Sequence, residues 1–216
     1  YHRFFPLMVH LPASFRSHRL IPRVTLAWAA LAAGLLVWNP HPTALVHFAS
    51  TSLHNLYDHP LLAIVLSVFT LANGWAEWAT WTLLSIVWIA VELRLGWLRA
   101  LTSFISGHVL ATAALALVQA LAIASHLATN SLSTVTNDVG ASYGFVALAG
   151  AGLTYAVRRD RRWLVAAPVL VAISVIDVTW WTILGHAIAI AVGVTLEVVV
   201  VHPPSRHLHP EVPALA

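Results

Sequence analysis

The sequence predicts an all-α, polytopic membrane protein of six transmembrane helices with both termini inside. Three observations predict it. The 216 residues carry only 9% charged side chains and have a mean hydropathy of +0.81, far outside soluble usage. The apolar runs are continuous rather than alternating, which selects helices over a closed barrel, the other fold that satisfies backbone polar groups in lipid. The basic residues, all eleven of them arginine, fall in clusters between those runs, as the positive-inside rule requires of helix ends facing the cytoplasm.

Residues 1–23 carry Arg3, Arg16, Arg19 and Arg23 around an apolar patch, Phe4-Phe5-Pro6-Leu7-Met8-Val9. They read as a basic segment lying at the inner interface. No cleavable signal peptide is expected, because no small-residue site follows the first strong apolar run. The first span is about 24–38, stopped by Asn39-Pro40-His41-Pro42. Residues 43–60 are mixed, with Asp58 their single acid. Residues 60–75 are apolar. A full span there would make seven helices and put Arg94 and Arg99 outside, so this piece is re-entrant or leads into span two. Span two, about 75–91, carries Trp75, Trp78, Trp81 and Trp88, a face for aromatic packing or for an interfacial belt. Residues 92–99 make a short inner turn into span three, about 100–124. Residues 125–138 are Ser/Thr/Asn-rich and free of Lys and Arg, hence an outer loop. Span four, about 141–157, is closed by Arg158-Arg159-Asp160-Arg161-Arg162. Span five is about 163–176. Asp177 marks an outer turn, and span six is about 178–201. One membrane domain, 24–201, thus lies between the basic segment 1–23 and a Pro/His-rich tail, 202–216, whose composition predicts disorder.

Several function classes are excluded or weakened. The isoelectric point near 10.0 suggests nucleic acid, but a nucleic-acid surface carries its cations on one continuous face, not in clusters split by apolar spans. There are no cysteines, so disulfides and thiolate metal sites are not available. His202, His207 and His209 lie among prolines in the tail, and read as solvated rather than metal-binding. No cofactor is expected. A transporter would show an inverted repeat and a buried ion pair near the midplane, and neither is evident.

The stretch around which the chain is organised is Asn137 to Gly150. It opens polar, sets Ser142 near Gly140 and Gly144, and turns into an apolar helix. Ser142 lies 16 residues before Arg158, and His186 lies 16 before His202. At 1.5 Å per residue both sit about 24 Å above the inner boundary, a few ångströms below the outer surface of a core about 30 Å thick. Gly140, Gly144, Ala147 and Ala151 on span four and Gly185, Ala189 and Gly193 on span six are spaced to let the two backbones meet. A serine hydroxyl is a weak nucleophile until a base takes its proton, and imidazole suits that task. Against this stands the structural reading, in which Ser and His in membrane helices simply bond neighbouring helices.

Three landmarks resemble the rhomboid family of intramembrane serine proteases, and more closely its divergent, rhomboid-like bacterial members. The similarity covers roughly residues 65–195. Val91-Glu92-Leu93-Arg94-Leu95-Gly96 is similar to the family's Glu-x-x-x-Gly turn. Gly140-Ala141-Ser142 followed by Ala147-Leu148-Ala149-Gly150 is similar to its Gly-x-Ser nucleophile motif and the Ala-Leu-x-Gly run after it. Gly185-His186 stands where the family places its base. The resemblance implies a multi-pass protein of a bacterial plasma membrane, with Ser142 as nucleophile and His186 as general base. Gly140, Tyr143 and Thr80 would support the oxyanion, and Glu92, Gly96, Gly144, Gly150 and Gly185 would belong to the structural motif. The partner it implies is a transmembrane helix, cleaved as substrate or held by an inactive pseudoprotease.

The sequence also departs from the family pattern. Tyr143 stands where a glycine usually follows the serine. The family's tyrosine four residues after the serine, which packs on the histidine, falls on Val146. The span-two His and Asn that help hold the oxyanion align with Ala76 and Thr80, and no Trp-Arg pair is seen in loop one. Losing an oxyanion donor costs about 10²–10³ in rate, so the expectation is a slow protease or a pseudoprotease. Among the other polar groups, His108 is intramembrane and so a functional candidate, but is expected to pack or hydrogen-bond. Glu92 is expected to order the inner turn with Arg94 or Arg99. Asn137 and Asp138 read first as helix caps. Glu197 is expected to reach the inner interface.

Overall fold

The computed structural model describes residues 22–38, 43–70, 78–125, 141–175 and 180–199. Every regular element among them is helical: α1 (Arg23–Trp38), α2 (Thr43–Ala49), α3 (Leu53–Asp58), α4 (Pro60–Ser67), α5 (Trp78–Leu95), α6 (Trp97–Ala124), α7 (Ser142–Arg159), a 3₁₀ turn (Arg161–Val165), α8 (Ala166–Val175) and α9 (Trp180–Val199). The expected basic segment lies almost wholly outside the described residues, and the tail entirely so. By length and apolarity, α6 and α9 pass as membrane crossings among the described residues. With 28 and 20 residues, they extend about 42 and 30 Å.

Local chemistry sets the boundaries. Gly96 separates α5 from α6 with φ +85°, a left-handed conformation that costs a Cβ-bearing residue energy but glycine almost nothing. Its N–H still reaches the Glu92 carbonyl at 2.9 Å. Pro60 opens α4, where a missing N–H costs nothing. α4 has eight residues and is about 12 Å long, so it cannot cross a bilayer alone. Within the described residues α8 is also short of a crossing, at ten residues and about 15 Å. The 3₁₀ turn before it is held by Asp160, whose Oδ1 accepts from the Arg162 N–H at 2.9 Å.

α7 is the centre of the molecule and packs on α5, α6, α8 and α9. It runs antiparallel to α6: Arg99 of α6 lies over the Tyr155 ring at one end, and Leu115 shares a cluster with Tyr143 at the other. It runs parallel to α9, since Tyr143 meets His186 at one end and Arg158 Nη1 donates to the Glu197 carbonyl at the other, 3.4 Å. The expected small-residue seam is present. A Cβ on Gly193 would collide with the Ala147 carbonyl, and one on Gly150 would stand 3.1 Å from the Ile190 carbonyl. Gly144 departs from that expectation, because the space beside it is filled by the Phe104 ring of α6, not by α9. Gly107 of α6 lets that helix close on Ala147 from the other side.

Aromatic rings fill the space between α1, α5, α6 and α7. Trp88 stacks on Phe104 with centroids 4.2 Å apart, Phe145 meets Trp88 edge-on at 5.3 Å, and Trp28 reaches Phe145 at 5.1 Å. Each such pair contributes about 0.5–1.5 kcal/mol beyond its area. Trp88 is therefore a core residue, while Trp75 lies outside the described residues and nothing is described of the Trp78 and Trp81 side chains.

At the arginine-rich end, Arg99 Nη2 contacts both carboxylate oxygens of Glu197 at 2.6 Å. Glu197 is 3% exposed. It does not reach the interface as expected, because Arg99 from α6 meets it inside the bundle. Removing one member of a buried pair leaves an uncompensated charge. Arg99→Ala should lower unfolding stability in detergent by about 3–5 kcal/mol, and adding Glu197→Leu should recover most of that loss. Equal stability of the single and double variants would show that the pair is not coupled.

Candidate active site

Ser142 is the first residue of α7 and follows Ala141, whose side chain offers no cap. Asn137 and Asp138, expected as caps, lie outside the described residues. The first α-helical hydrogen bond of α7 runs from the Phe145 N–H to the Ala141 carbonyl, 3.0 Å. The N–H groups of Ser142, Tyr143 and Gly144 therefore lie outside the helix's own ladder, as at any helix start. Such N–H groups are suited to an incoming anion.

His186 sits in the second turn of α9 and is buried, 6% exposed. Tyr143, 2% exposed, places its ring against the imidazole edge-on, with centroids 5.6 Å apart. Gly185 makes this possible: a Cβ there would run into the Tyr143 ring and the Leu115 side chain. The aromatic partner that the family resemblance assigns to position 146 is thus supplied by Tyr143, and Val146 packs in the same cluster. The half-buried Ser142 hydroxyl and the imidazole lie at the same end of the α7–α9 pair, but they are not hydrogen-bonded to each other. Gly140 lies outside the described residues, as does Ala76. Thr80 falls within α5, and nothing is described of its side chain.

Two buried polar groups, Glu92 and His108, have partners that the sequence did not name. Glu92 does not draw Arg99 into the inner turn, since Arg99 is taken by Glu197. Its Oε2 instead accepts from the Thr25 N–H at 3.0 Å and the Thr25 hydroxyl at 2.6 Å. Thr25 is in the first turn of α1, so a carboxylate from α5 caps α1 and meets the positive end of its dipole. His108 bonds as expected, but with a partner that sequence reasoning missed. Its Nε2 lies 3.1 Å from the Ser67 Oγ and 3.1 Å from the Ile64 carbonyl, both on α4. Ser67 is fully buried. The available signal was one polar residue near the end of a short apolar run, which does not name a partner. The His108 ring also faces Tyr143, 6.5 Å away, so Tyr143 stands between two histidines.

A family model for rhomboid-like proteins matches residues 31–204. The chain belongs to the rhomboid-like family. Membership makes it a membrane protein, in keeping with α6 and α9. No curated protein and no solved structure matches the chain. In this rhomboid-like chain the serine helix and the histidine helix are adjacent and parallel, with a tyrosine wedged between serine turn and imidazole.

Tyr143→Ala should destabilise the folded protein by about 3–5 kcal/mol, as for a large buried aromatic, read by thermal unfolding in detergent. Gly185→Val should displace the same ring and produce a comparable loss. A melting temperature unchanged in both would remove Tyr143 from the core.

Proposed function

We propose that the chain is an intramembrane serine endopeptidase, multi-pass in a bacterial plasma membrane, that cleaves transmembrane substrates near their outer ends. Ser142 is the nucleophile and His186 the general base. The observation that carries this reading is the Tyr143–His186 packing, which holds the imidazole beside the turn that bears Ser142. The proposed topology is six spans with both termini inside, one membrane domain over 24–201, and a basic segment and tail flanking it.

In this mechanism the Ser142 hydroxyl attacks the scissile carbonyl as His186 takes its proton. The imidazolium then protonates the leaving amine, and water hydrolyses the acyl-enzyme by the same route in reverse. The oxyanion falls to N–H groups at the start of α7, with Gly140 and the Thr80 hydroxyl in support. The missing Ser142–His186 hydrogen bond is compatible with this role, because catalytic hydrogen bonds commonly tighten only when substrate binds.

A second reading is a pseudoprotease that binds membrane helices or serves as a subunit of a membrane complex. Two observations favour it. The Ser142 hydroxyl is not bonded to His186, and Tyr143 directly follows the serine where the protease pattern has glycine.

A fluorophosphonate serine probe separates the two readings. Purified wild-type protein in detergent should label slowly, and Ser142→Ala and His186→Ala should both lose the label. A folded wild type that takes no label, or one whose labelling survives Ser142→Ala, overturns the protease reading. A stoichiometric partner retained by Ser142→Ala would then support the second.

A further inference from the structure

We propose that the groove between α5, α7 and α8 binds an anionic phospholipid, with the phosphate on Arg94 and the acyl chains along the groove. The groove has a volume of about 520 Å³, within the range of small-molecule sites, roughly 300–1,000 Å³. Its wall is apolar: Val87 and Val91 from α5, Leu153 and Ala156 from α7, and Leu170 from α8. Among the described residues, its one cationic lining residue is Arg94.

Charge complementarity selects the occupant. Arg94 is exposed and, among the described residues, has no ion pair or hydrogen bond. Its neighbour Arg99 is paired with Glu197. Tyr155 lines the groove, and Arg159 lies over its ring at 4.4 Å, a cation–π contact that holds a second positive charge beside the groove. Arg161 and Arg162 follow in the exposed 3₁₀ turn, where the single acid, Asp160, is engaged with the Arg162 N–H. Trp163, half exposed and lining the groove, is the residue type that sits at headgroup level. An apolar slot ending in unpaired arginines matches an amphiphile with a negative head, and basic pockets between membrane helices at the arginine-rich side recognise anionic lipid heads. A zwitterionic lipid brings no net charge to Arg94, and free phosphate leaves the apolar wall uncovered. The inference uses the chain's place in a membrane and does not depend on the proposed peptidase activity.

Native mass spectrometry of the full chain in detergent tests it, with phosphatidylglycerol and phosphatidylcholine of identical acyl chains as probes. Phosphatidylglycerol should be retained preferentially. Arg94→Gln should weaken its retention about fivefold, the effect of one basic residue on an anionic membrane component, and Arg94→Lys should restore most of it. Ala156→Phe, which fills the slot without changing charge, should also reduce retention. Because Arg94 is exposed and unpaired, Arg94→Gln does not threaten the fold, and it decides the matter even where Ala156→Phe is unstable. Equal retention of both lipids, retention undiminished in Arg94→Gln, or displacement by inorganic phosphate would each overturn the proposal. The readout is lipid retention, so this result and the labelling result stand independently.

Discussion

The contact of α7 with α9 at Ala147 and Gly193 is the constraint on which the rest of the structure depends. In lipid, no hydrophobic force drives one apolar helix onto another, so association rests on close packing and on bonds between polar groups. A side chain at position 193 would meet the Ala147 carbonyl, so only glycine permits this spacing. With the backbones this close and parallel, both ends of the pair are brought into register. Tyr143 meets His186 at one end, and Arg158 meets the Glu197 carbonyl at the other.

The two ends have opposite chemistry. At the arginine-rich end, Glu197 is buried and compensated by Arg99, which ties α6 to α9. A buried ion pair is weak evidence for net stability, because desolvation offsets most of its attraction. Its contribution here is better described as fixing register, since sliding either helix would strand a charge inside the bundle. At the serine end, Tyr143 packs its ring on His186, and His108 bonds to Ser67 and Ile64.

α1 and α4 are attached to this centre by buried polar anchors. Glu92 of α5 caps α1 through Thr25, and the Trp28, Trp88, Phe104 and Phe145 rings fill the space beneath. His108 of α6 holds the end of α4 through Ser67 and Ile64. Each anchor is a polar group with no water to turn to, so its partner must come from another helix. The segment from Glu92 to Gly96 thereby does two jobs. Gly96 reverses the chain, and Glu92 reaches back to the first helix.

By itself the sequence determined the helical class, most helix boundaries, and the level shared by Ser142 and His186. These depend on local and linear quantities: apolar run length, arginine position, and a fixed rise per residue. The Ala147 and Gly193 part of the seam was legible for the same reason, because small residues at helical spacing form a stripe before any partner is known. Tertiary structure alone decided who meets whom. That Gly144 admits Phe104, that Glu92 caps α1, that Arg99 pairs with Glu197 across 98 positions, and that Tyr143 replaces residue 146 against His186 depend on helix rotation and on which neighbour is closest. Periodicity along one chain does not encode either, since a helix presents every face at equal spacing and only packing selects the one that is used.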